Sequence, residues 1–134
     1  MRYVPLLVVP FLLYNAFAFL IFENYAVDFR EASMWSVTMP SGGTFTLTVA
    51  ATIVLLAVLL LGIEVVKAAR IGRGSIVDHV FATVLLLAFV VEFLLVPQAA
   101  TDTFVILGVI ALIDLLCGFA VSLRTATRDI TLET

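Results

Sequence analysis

Apolar residues along this chain gather into four runs separated by short polar stretches. They are 5–22 (PLLVVPFLLYNAFAFLIF), 45–66 (FTLTVAATIVLLAVLLLGIEVV), 76–96 (IVDHVFATVLLLAFVVEFLLV) and 104–123 (FVILGVIALIDLLCGFAVSL). Each is close to the roughly 20 helical residues that cross a hydrocarbon core about 30 Å thick. Membrane-barrel strands are about half as long and alternate in polarity, which these runs do not. The pattern predicts an all-α membrane protein with four transmembrane helices in an antiparallel bundle, forming one domain over 1–134. The first run also has the outline of a signal peptide, with Arg2 ahead of it and Ala16-Phe17-Ala18 as a small-x-small site. Its apolar character continues past that site and is longer than a signal-peptide core, so it is expected to stay as a helix.

The connections fit this arrangement. Residues 97–103 (PQAATDT) and the AARIGRGS stretch are short enough to make antiparallel hairpins of their flanking helices. Ser75 and Asp78 have the spacing of a capping box at the start of the third helix, which gives Asp78 a structural role. The outer loop, 23–44, is the only sizeable extramembrane piece. It mixes Tyr25, Phe29, Met34, Trp35 and Met39 with charges, a composition suited to the headgroup region. It reads as a lipid-surface loop with room for a short surface helix near Phe29 to Trp35. Those two aromatics are its candidate contacts to lipid or to a partner.

Composition supports the assignment. The chain is 63% hydrophobic and 13% charged, against roughly 25% charged in soluble domains. So few charges cannot coat a water-facing globule. Arg2, Lys67, Arg70, Arg73, Arg124 and Arg128 fall on one side of a four-span topology and only Arg30 on the other. The positive-inside rule then places both termini in the cytoplasm of a bacterial inner membrane. Lys67, Arg70 and Arg73 should touch acidic headgroups, setting orientation more than building a specific site. Cys117 is the single cysteine and His79 the single histidine, so neither a disulfide framework nor a Cys/His zinc site is expected. Cys117 reads as a small buried hydrophobe. No cofactor is implied, and the scattered basic residues make no nucleic-acid surface.

Candidate chemistry is confined to polar residues inside the runs. Glu64 stands three residues before Lys67, a spacing that favours an ion pair at the cytoplasmic interface. Asp114 and Asn15 each sit near the middle of a run, and Glu92 lies near an outer end. An ionised carboxylate at a helix centre costs about 2.5–3.5 kcal/mol on insertion scales. Asp114 therefore needs a proton, a partner or a hydrated cavity. Gly108, Ala111, Asp114, Gly118 and Ser122 share one helix face of small or polar residues, which directs Asp114 into protein. Asn15 is its expected partner by depth. Glu92 shares a face with Ala88 and Leu85 and has Thr46 and Thr48 as candidate partners. Asp114, Asn15 and Glu92 form the candidate proton or cation site, with hydrogen-bonded glue as the favoured role.

No nucleophile–base pair, phosphate loop or metal-ligand cluster is present in the pattern, so catalysis is not expected. The expected function is that of a small inner-membrane accessory or interaction subunit. It would act through helix and loop contacts with the bilayer, a larger membrane protein or another copy of itself. The alternative is a small oligomeric transporter or proton/cation conductor that uses the intramembrane carboxylates. The charge asymmetry gives a direct test of orientation. A reporter enzyme active only in the periplasm should be silent when fused after Thr134, and strong activity there would refute the cytoplasmic assignment.

Overall fold

The computed structural model describes residues 4–21, 28–71 and 76–133. Four α-helices account for most of them: α1, Val8–Ala16; α2, Val49–Ile71; α3, Ile76–Leu95; and α4, Asp102–Glu133. A π-helical turn, Phe17–Ile21, continues α1. Between α1 and α2 come a 3-10 turn, Phe29–Glu31, and two strands, β1, Ser33–Thr38, and β2, Thr44–Thr48. A second 3-10 turn, Pro97–Ala99, joins α3 to α4.

The helical class stands, but the four runs are not equivalent. α2, α3 and α4 are long and apolar enough to cross a membrane, whereas the first run gives only a shorter apolar helix, Val8–Leu20. Prolines account for its late start. A helix continuing back through residue 6 would press the Pro10 ring against the Leu6 carbonyl, and Pro10 has no N–H to give. The chain instead enters through turns in which Val8 N–H donates to Pro5 O and Val9 N–H to Leu6 O.

α2 also begins later than the apolar run. Residues 44–48 (TFTLT) alternate in polarity and pair antiparallel with β1. Thr48 closes that strand and caps the helix at once, its Oγ1 accepting from Ala51 N–H at 3.2 Å. Thr101 does the same for α4, accepting from Phe104 N–H at 3.2 Å. At its far end α4 runs on through 124–133 (RTATRDITLE), a polar stretch with neither glycine nor proline to stop it.

α4 is the hub of the bundle, packing against α1, α2 and α3. Its buried residues Phe104, Leu107, Ile110, Ala111 and Leu115 fall on one face. In a bilayer, where lipid tails are as apolar as these side chains, such a bundle is held by fit and hydrogen bonds rather than by escape from water. Small residues provide the fit. Ala57 on α2 is wholly buried, and a Cβ at Gly108 would stand 3.8 Å from the Phe89 side chain of α3. Above this contact, aromatic rings interlock: Phe11 meets Phe89 edge-on at 4.8 Å, and Phe104 lies 5.1 Å from Phe89 and 5.0 Å from Tyr14.

Between α1 and α2 the described chain forms a β-hairpin, β1 and β2, rather than a surface helix. Pro40 occupies the second position of a turn in which Gly42 N–H donates to Met39 O at 2.9 Å. Gly42 then takes the left-handed conformation, φ +87°. A side chain in that conformation costs roughly 1–2 kcal/mol. Gly42→Val should therefore loosen the hairpin by about that much, seen as faster amide exchange at Thr38 and Thr44. Gly43→Ala should change little, because its Cβ would meet only Ser41 Oγ at 3.6 Å.

Candidate functional site

The polar residues inside the apolar helices pair differently from the expectation. Asn15, at the end of α1, donates from Nδ2 to Phe11 O at 3.0 Å and to Glu92 Oε2 at 3.3 Å. Asp114 on α4 instead hydrogen-bonds the carboxyl group of Glu64 on α2. Glu64 Oε1 also accepts the backbone N–H of Leu6, just ahead of α1. Glu64 is thus turned into the bundle and not outward to Lys67. Among the described residues, Glu92 has no bond to Thr46 or Thr48, its expected partners.

The start points of the helices explain the exchange. At 1.5 Å per residue, Glu64 lies about 22 Å along α2 from Val49, and Asp114 about 18 Å along α4 from Asp102. Because α2 extends to Ile71, Glu64 is well inside the helix and level with Asp114. α1 begins at that same level, so its Asn15 lies nearer the hairpin end, where Glu92 is. Two carboxyl groups can hydrogen-bond each other only with a proton between them, since ionised carboxylates are acceptors alone. The Leu6 N–H then serves one of the remaining lone pairs. No buried side-chain nitrogen or oxygen among the described residues is left without a partner.

The small-residue face of α4 packs as expected but against more than one helix. Gly108 faces Phe89, Asp114 faces Glu64, and Gly118 faces His79, whose ring lies 3.3 Å from the position of an added Cβ. Ser122 completes the row, its Oγ 2.8 Å from His79 Nε2. The His79 ring also stacks on Phe119 at 4.6 Å. His79 therefore joins α3 to α4, a role its sequence position did not reveal. The capping box that includes Ser75 lies outside the described residues.

One apolar layer separates the two polar pairs. Between the Asn15–Glu92 pair and the Glu64–Asp114 pair lie Phe11, Phe89, Phe104, Leu107 and Ile110, the last four of them buried. No chain of hydrogen-bonding side chains crosses that layer among the described residues.

Around the hairpin, Tyr14 and Arg30 anchor the loop. Tyr14 is fully buried; its hydroxyl donates to Gln98 O at 2.9 Å and contacts Thr101 Oγ1 at 2.6 Å. Arg30 holds Asp28 through Nε at 2.9 Å and reaches Asp102, the first residue of α4, at 2.8 Å. The guanidinium keeps the Asp28 carboxyl below the usual carboxylate range, and Asp28 in turn raises Arg30. Phe29, between them, is buried against Tyr14 at 5.3 Å and stacks on Phe17, so it is a core residue and not a surface contact. Trp35 does lie on the surface, 57% exposed. Lys67 and Arg70 are exposed on α2, and Arg73 lies outside the described residues.

The carboxyl pair yields a graded test. Asp114→Asn supplies an amide that can still donate to Glu64, and it should retain near-normal thermal stability in detergent. Asp114→Leu removes the hydrogen bond, worth about 0.6 kcal/mol in membrane bundles, and crowds a tight face, at a further cost of about 1–3 kcal/mol. Equal stability of the two variants would show that the pair does not hold the bundle.

Comparison with protein families, with curated proteins and with solved structures finds no match for this chain.

Proposed function

We propose that this chain is an integral inner-membrane protein with both termini in the cytoplasm, serving as an accessory or interaction subunit for a larger membrane protein or a second copy. The observation that carries this reading is the hairpin. In its register Val37 faces Phe45 and Trp35 faces Leu47, while Ser36 faces Thr46 and Thr38 faces Thr44. One side of the ribbon is thus apolar and the other is lined with hydroxyls, Ser36 and Thr46 lying 3.3 Å apart. On the apolar side Trp35 and Phe45 meet edge-on at 6.2 Å and both remain exposed. A two-stranded ribbon is marginal alone in water and gains from packing against another surface. The clamp of Arg30 on Asp102 and the buried Phe29 fix its base to the bundle. A partner would therefore meet a defined surface.

The internal acids suit the same reading. Each has a partner within the chain, and an apolar layer separates them, as expected of polar glue rather than a conduction path. The proton- or cation-conducting alternative draws on one observation, the carboxyl pair Glu64–Asp114 meeting the start of α1, where Leu6 N–H donates. In liposomes bearing a pH gradient, a flux in the wild type that Asp114→Asn abolishes while leaving the fold intact would favour that alternative.

The interaction reading has its own test. A photo-reactive phenylalanine analogue placed at position 35 in cells should give a discrete protein adduct. Phe45→Ser, which removes half the aromatic pair, should weaken that adduct severalfold without loss of the protein from the membrane. Crosslinking to lipid alone would overturn the reading.

A further inference from the structure

The face of α2 turned away from the bundle carries a groove of about 700 Å³, lined by Leu59, Gly62, Ile63, Val66, Lys67 and Arg70. The groove is open along its length and lined by α2 alone. The residues recur at helical spacing, so they make one stripe, apolar at its start and basic at its end. Gly62 forms a notch in the middle. Glycine disfavours a helix interior relative to alanine, yet among the described residues nothing beyond its own stretch of helix comes within 4 Å of the position its Cβ would take. The space is therefore not used for packing inside the molecule. Nor are the cations used there: among the described residues, no carboxylate lies within ion-pairing distance of Lys67 or Arg70.

We infer that this stripe is a binding site for one anionic phospholipid, an acyl chain lying along Leu59, Gly62, Ile63 and Val66 and the phosphate held by Lys67 and Arg70. The inference rests on the reading of α2 as a membrane span. Charge decides between occupants. The long basic side chains can lay their stems on the apolar stripe and extend their heads to the headgroup level, where an anion is available. A second copy packed symmetrically on this stripe in the same orientation would bring two further cations against these two. A zwitterionic lipid would leave both cations facing a neutral headgroup.

The test uses the full chain reconstituted in vesicles of equal parts phosphatidylglycerol and phosphatidylcholine, extracted in mild detergent and weighed with its retained lipid by native mass spectrometry. Phosphatidylglycerol should be retained in strong preference, and Lys67→Gln and Arg70→Gln should each lower the preference about fivefold. Gly62→Leu, which fills the notch without touching charge, should reduce retention of the lipid as a whole. Equal retention of the two lipids, or a preference unchanged in the doubly neutralised variant, would overturn the site. Alkaline carbonate extraction of the same vesicles separates the two levels of the argument. A chain that stays in the membrane without lipid preference refutes the site alone, whereas a chain that washes out refutes the membrane span and the site with it.

Discussion

A carboxyl group inside an apolar bundle must be given a proton and a partner, and the hydrogen bond between Glu64 and Asp114 meets both demands. Much of the arrangement depends on it. It ties α2 to α4 near the middle of both helices, and the Leu6 N–H that also reaches Glu64 fixes where the first helix begins. With α1 started at that level, its other end carries Tyr14 to Gln98 and Thr101 and Asn15 to Glu92. The first helix is in effect suspended between polar contacts at its two ends. Between them only apolar and aromatic surfaces meet.

The same economy governs the hairpin end. Thr48 ends a strand and caps α2, and Thr101 caps α4 two residues after the 3-10 turn, so little chain is spent between strand, turn and helix. Arg30 binds Asp28 beside it and Asp102 across the fold, coupling the loop to the start of α4. An exposed ion pair of this kind is worth about 0–1 kcal/mol. Its contribution is therefore geometric, with the buried Phe29 and Tyr14 supplying the packing that holds the loop down.

The two ends of the molecule consequently offer different surfaces. At one end stands an amphipathic ribbon with an exposed aromatic pair; toward the other, α2 presents an apolar stripe ending in cations. Neither surface is required by the internal packing of the described residues. One is shaped for a flat apolar surface and the other for a chain with an anionic end.

Composition and run length alone determined that the described chain is mostly helical, with helices apolar enough to span a bilayer, because the density of apolar residues over about 20 positions survives any choice of packing. The inward face of Asp114 was equally legible, since helical spacing sets Gly108, Ala111, Gly118 and Ser122 beside it. The hairpin also leaves a signal in the sequence, apolar and polar residues alternating in WSVT and TFTLT around PSGG, although the apolar run 45–66 overlaps its second strand. The partners were not. Which acid meets which depends on the level at which each helix starts, and Pro10, Thr48 and the continuation of α2 to Ile71 set those levels only once the helices are laid side by side. A shift of a few residues moves a side chain by a full turn, about 5.4 Å, and so exchanges its neighbour. Tertiary packing alone therefore decided that Asn15 meets Glu92, that Glu64 meets Asp114, and that His79 lies on Gly118 and Ser122.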